Sequence, residues 1–106
     1  MVDLAILHCV SAYPATPEEA NIRTMKDIEE TFRVVPGFSD HTLGTVASVA
    51  AVALGACIVE KHFTLSRDDG GIDSSFSLEP DELKLLCREL QSAWQGLGEV
   101  LYGGDT

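Results

Sequence analysis

"GFSDHTLGTVASVAAVALGACIVEKHFTL", residues 37–65, decides the fold. Its first residues end an extended segment, "RVVPGFSD" (33–40), on Ser39, Asp40 and His41. The middle, 43–55, is apolar almost all round and built of small residues that suit close packing on a sheet. Gly55 is placed to close that helix as a C-cap. The end, "ACIVEKHFT" (56–64), is a short apolar run that finishes near His62. A strand, a helix and a strand in so few residues must run with the strands parallel and a right-handed crossover.

The same alternation extends in both directions. Upstream, "LAILHCV" (4–10) suits a strand covered on both faces. A helix is expected over 16–32, with Thr16 as N-cap, Pro17 in the first helical position and Glu19 completing a capping box. Ile22, Met25, Ile28 and Phe32 form its apolar stripe. Downstream, a polar loop (65–77) leads to a helix that opens at "EPDEL", with Pro80 early. Leu83, Leu86, Cys87, Leu90, Ala93, Trp94 and Leu97 keep helical spacing along it. The fold class is therefore α/β: three parallel βα units in one domain spanning 1–106.

Composition removes several function classes. With 17 acids against 7 bases the net charge is −10, and no basic face is visible, which argues against nucleic acid. No apolar run reaches the roughly 18–20 residues of a membrane span. The start, "MVDLAIL", lacks the basic region of a signal peptide, so a soluble, cytoplasmic protein is expected. Cys9, Cys57 and Cys87 are odd in number, far apart and set among apolar residues. They read as small buried hydrophobes, not as a disulfide framework or a zinc knuckle.

In α/β folds the chemistry gathers at the carboxyl ends of the strands. Those ends hold Ser11 to Tyr13, Ser39 to His41 and His62 to Thr64. Side chains alternate along a strand, so Gly37, Ser39 and His41 share a face of the second strand, and Ile58, Glu60 and His62 share a face of the third. The 21 residues from His41 to His62 make one complete helix-plus-strand unit, which sets the two at equivalent height. On strands about 4.8 Å apart, both imidazoles can reach a common ion. Two neutral nitrogens with water and a ligand carboxylate suit an exchangeable divalent ion, manganese or magnesium, with Glu60 orienting one ligand. The competing reading has each histidine cap its own strand end on backbone groups, and spacing alone does not separate the two. His8, inside the first strand among Leu7 and Cys9, reads as a structural histidine. Asp68, Asp69 and Asp73 read as a solvated loop in a position from which substrate contacts are drawn.

Taken together, "LHCVSAYPATPEEANIRTM" (7–25), "GFSDHTLG" (37–44), "AAVALGACIVEKHFTL" (50–65) and "SLEPDEL" (77–83) resemble the N-acetylneuraminate (sialic acid) synthase family. The resemblance implies condensation of phosphoenolpyruvate with an N-acetylated aminosugar, N-acetylmannosamine or a relative, with release of phosphate. It implies a (β/α)₈ (TIM) barrel requiring a divalent metal, typically Mn2+, followed by an antifreeze-like domain in a homodimer. By the same resemblance His41 and His62 are the metal ligands and Ser39 meets the phosphoenolpyruvate phosphate. Tyr13 and Ser11 line the substrate site, and Asp73 binds the aminosugar.

Members of that family usually read Gly-Pro-Asp-His where this chain has Gly71, Ile72, Asp73 and Ser74. By family order the three strands are the sixth to eighth of the barrel. The first five, with their phosphate-holding lysines and a proton-handling glutamate, and the antifreeze-like domain have no counterpart here. The expectation is a partial barrel, inactive alone, whose uncovered strand edges and inner face (Ile58 and Cys9 among it) favour a homo-oligomer, most simply a dimer. The alternatives are a non-catalytic module that binds metal or sugar phosphate or self-associates, and a different metal-dependent aldolase of the barrel type.

Overall fold

A computed structural model describes residues 3–103. Three parallel strands form one sheet in the order β1 (Ala5–Cys9), β2 (Val35–Asp40), β3 (Ile58–Lys61). The helices are α1 (Thr24–Phe32), α2 (Val46–Ala53) and α3 (Pro80–Leu97). Strand neighbours in space are strand neighbours in sequence, as short right-handed crossovers require.

Strand alternation sorts the sheet into two faces. Phe38 of β2 points to the helices and is 1% exposed, packed with Ala20, Met25, Ala51 and Ala56. The alanines of α2 have no side chain beyond Cβ, so the helix settles directly on Phe38. His8, the register partner of Phe38, stacks on its ring at 6.2 Å, and its Nε2 lies 2.8 Å from the Ala20 carbonyl. That carbonyl can only accept, so the imidazole donates. His8 is the structural histidine its position suggested.

The other face is open. Leu7, Gly37 and Ile58 form one row across it, and Ile58 is 43% exposed. A Cβ on Gly37 would stand 2.7 Å from Leu7 Cγ and 2.8 Å from the Ile58 carbonyl oxygen, so this row closes only over glycine. All three cysteines are exposed, contrary to the reading of buried hydrophobes. Cys9 lies on this uncovered face, Cys57 precedes an edge strand, and Cys87 lines an open groove with Leu90 and Trp94. Apolar neighbours in sequence did not become covering neighbours in space.

The helix expected over 16–32 is two pieces. The capping box holds, with the Glu19 carboxylate accepting from the Thr16 N–H and hydroxyl at 2.9 Å each. It opens only a 3₁₀ turn, Pro17–Ala20, because Asn21 takes a left-handed φ of +44°, which asparagine tolerates better than most residues. The break leaves the Ala20 carbonyl for His8. Gly55 follows α2 at φ +111° and Pro80 opens α3, as read, while the capping box of Glu79 and Glu82 at the start of α3 was not anticipated.

Candidate active site at the strand tips

The register of β2 on β3 is constant, from Gly37 opposite Ile58 to Asp40 opposite Lys61. Each pair differs by 21, the interval between His41 and His62, so the histidines follow the last pair as matched strand tips. Below them on the open face runs a row of Cys9, Ser39 and Glu60. The imidazole centroids are 5.5 Å apart.

Each histidine is held by the loop beyond it. The Ala15 N–H donates to the His41 carbonyl, and the Leu78 N–H to the His62 carbonyl, both at 2.9 Å. His41 Nδ1 lies 3.3 Å from the Ala12 carbonyl oxygen, which makes Nδ1 the protonated nitrogen of the neutral ring. Nε2 keeps its lone pair and lies 3.6 Å from Cys9 Sγ. His62 Nδ1 lies 3.8 Å from Asp73 Oδ2. Tyr13 packs against both imidazoles, 5.1 Å from His41 and 4.6 Å from His62, with Phe76 edge-on at 5.4 Å. Its hydroxyl donates to the Asp73 backbone carbonyl at 3.4 Å.

Six of the residues singled out from sequence thus lie in two adjoining groups. Tyr13, His41, His62 and Asp73 cluster at the tips. Ser39 lies just below and donates its hydroxyl to Glu60 at 2.7 Å, beside a crevice of about 270 Å³ bordered by His62. The Glu60 carboxylate is therefore engaged by Ser39, not by a histidine. Ser11 is exposed on the bend after β1, and among the described residues no hydrogen bond joins it to the others.

Behind the tips, on the helix side, lies a network that sequence reading did not find. The Asp40 carboxylate, with no exposed side-chain surface, accepts from the Thr42 N–H (2.8 Å), the Thr42 hydroxyl (2.6 Å) and the Ser48 hydroxyl of α2 (2.5 Å). Lys61 pairs with it at 3.1 Å and donates to the Thr42 carbonyl at 2.6 Å. A buried pair so fully satisfied meets the condition under which ionic groups are tolerated in a core. The loop carrying Asp73 is anchored separately. Arg67 pairs with Glu79 at 3.0 Å and with Glu82. The Glu79 N–H, and then Arg67, hold the Glu82 carboxyl below the usual glutamate value, while Glu82 raises that of Arg67.

The donor set suits an exchangeable divalent ion held by two imidazoles. Their Nδ1 atoms face a carbonyl at 3.3 Å and a carboxylate at 3.8 Å, the kind of partners that orient a metal-binding histidine, while His41 Nε2 has the Cys9 thiol beside it at 3.6 Å. Among the described residues no three His, Cys, Asp or Glu side chains gather closely enough to enclose an ion. Such a site depends on water or substrate oxygens for its remaining positions.

Residues 1–102 match the NeuB family. The chain belongs to that family. An N,N'-diacetyllegionaminic acid synthase of Campylobacter jejuni is 44% identical over 97 residues, covering 92% of this chain and 29% of that protein. The N-acetylneuraminate-9-phosphate synthase of Mus musculus is also 44% identical over 97 residues, covering 91% and 27%. The crystal structure of an N-acetylneuraminic acid (sialic acid) synthetase from Leptospira borgpetersenii superposes with a TM-score of 0.86 at 36% identity, covering 96% of this chain and 36% of that one. The chain thus spans under a third of the length of the two synthases it matches by sequence. Among its described residues no helix is long and apolar enough to cross a membrane.

Proposed function

We propose that this chain supplies the metal- and sugar-binding side of an active site that condenses phosphoenolpyruvate with an N-acetylated aminosugar. In this reading β1, β2 and β3 are the sixth, seventh and eighth strands of a (β/α)₈ barrel, and the chain alone does not complete the reaction. The observation that carries it is the convergence of His41, His62, Tyr13 and Asp73 at the carboxyl ends of the strands in a member of this family.

The roles follow from the chemistry of each group. His41 and His62 would hold Mn2+ or Mg2+ through Nε2, with the Ala12 carbonyl and, at 3.8 Å, the Asp73 carboxylate beside their Nδ1 atoms. When bound, the ion would act as a Lewis acid on the aldehyde oxygen of the sugar. The Tyr13 ring forms a flat apolar wall against both imidazoles, suited to one face of a sugar ring. Asp73 offers a half-exposed carboxylate that can accept from sugar hydroxyls. Ser39 offers its hydroxyl to a phosphate oxygen once it turns from Glu60.

Mn2+ titration followed by electron paramagnetic resonance tests the reading. Wild type should bind, and His41→Ala and His62→Ala should each lose at least about tenfold in affinity. Equal, weak binding by all three would remove the metal site and with it this assignment.

A further inference from the structure

The Asp40–Lys61 pair occupies the last register position before the two histidines, on the opposite face of the same strands. Each imidazole is therefore covalently one residue from a member of the pair. The pair also reaches beyond the strands. Asp40 takes the Ser48 hydroxyl from α2, and both members bond Thr42, the residue that follows His41. Thr42 in turn bridges to Ala15, whose N–H holds the His41 carbonyl. One buried ionic contact thus ties β2, β3, α2 and the turn after His41 at the height of the imidazoles.

We infer that Asp40 and Lys61 are positioning residues that set the separation of His41 and His62, so that the two rings act as one bidentate donor. A six-residue strand and its four-residue edge neighbour, open on one face, do not by themselves hold two side chains at a fixed spacing. Apolar side chains at 40 and 61 would fill the same volume, but without direction. A charge pair with three hydroxyl and amide donors on one carboxylate admits a single arrangement of the strand tips. The inference rests on the metal reading for its first measurement and is independent of it for its second.

The experiment uses the 106-residue chain and Mn2+ alone as probe. The paired variant Asp40→Asn with Lys61→Met removes both charges together, so no buried charge is left without a partner. Its Mn2+ affinity should fall about tenfold or more. Nuclear Overhauser contacts from Tyr13 to His41 and His62 should weaken while those between Met25 and Phe38 persist. Unchanged affinity and unchanged ring contacts would overturn the inference. If the paired variant does not fold, Ser48→Ala removes one donor to Asp40 and leaves the ion pair. Weaker ring contacts there support the inference, and unchanged contacts overturn it. A wild type that fails to bind Mn2+ counts against the metal reading alone, since the ring contacts still decide what the pair does.

Discussion

Ser39 donates its hydroxyl hydrogen to the Glu60 carboxylate across 2.7 Å, from one strand to its register partner on the next. This bond bears directly on how a phosphate could be met here. The hydroxyl must turn away before it can donate to a phosphate oxygen, and the carboxylate it leaves repels a dianion. The nearest lysine, Lys61, is committed to Asp40 and Thr42 on the other face. The isolated chain should therefore bind phosphoenolpyruvate weakly at best. With phosphoenolpyruvate, Mn2+ and N-acetylmannosamine it should release no phosphate above background in a malachite green assay, whereas metal-dependent turnover would show that three βα units suffice. Glu60→Gln, which removes the repulsion, should tighten inorganic phosphate binding measured by ³¹P NMR.

Gly37→Ala should destabilise the fold by about 1–3 kcal/mol, the usual cost of adding a carbon to a filled position. Leu7 can yield by changing rotamer, but the Ile58 carbonyl, 2.8 Å from the new carbon, is backbone and can move only with β3. Urea unfolding monitored at Trp94 measures the loss, and a midpoint equal to wild type would contradict the crowding.

Acid should loosen the loop that carries Asp73. The folded-state value of Glu82 is depressed by the Glu79 N–H and by Arg67, so its contribution is present above the usual glutamate range and disappears as pH falls through the depressed value. The effect is modest because solvent reaches the pair. Glu82→Gln should be less stable than wild type at neutral pH, and the gap between their melting temperatures should close below the ordinary carboxylate range. A gap that is constant with pH would show that Glu82 acts by packing alone.

Among the described residues both outer strands leave backbone groups without a sheet partner, and Ile58, Phe63 and Trp94 are 43%, 46% and 63% exposed. Burying such side chains is worth roughly 1.5–3 kcal/mol each. A homo-oligomer is expected, most simply a two-fold dimer with about twice the 11.4 kDa monomer mass by light scattering at low micromolar concentration. A cooperatively unfolding monomer would show that the open face tolerates water.

The alternation of apolar runs with capped helices carried the architecture, because each strand is short and each helix opens or closes on a residue with a stereochemical reason to be there. The pairing of His41 with His62 was legible because register converts an interval in sequence into a height in space. The break at Asn21 was not, since its left-handed turn is favoured by the bond between His8 and Ala20, twelve residues apart. The Asp40–Lys61 pair was equally hidden. Aspartate and lysine ordinarily mark solvated surface, and only the arrival of Ser48 and Thr42 makes their burial affordable. The cysteines misled for the opposite reason, as apolar flanks describe a strand but not what covers it.

The constant offset of 21 also sets where this protein can change length. One residue gained or lost between His41 and His62, if taken up within β3, turns His62 to the helix side and separates the two rings. Residues 65–77 lie outside that measured interval and are anchored at both ends, by Arg67 to α3 and by Leu78 to His62. Insertions and deletions there keep the 21-residue offset of the two histidines while moving Asp73, which faces His62 Nδ1 at 3.8 Å. A change of length on the far side of His62 thus alters what stands beside the imidazole, whereas one absorbed in β3 alters which way the imidazole points.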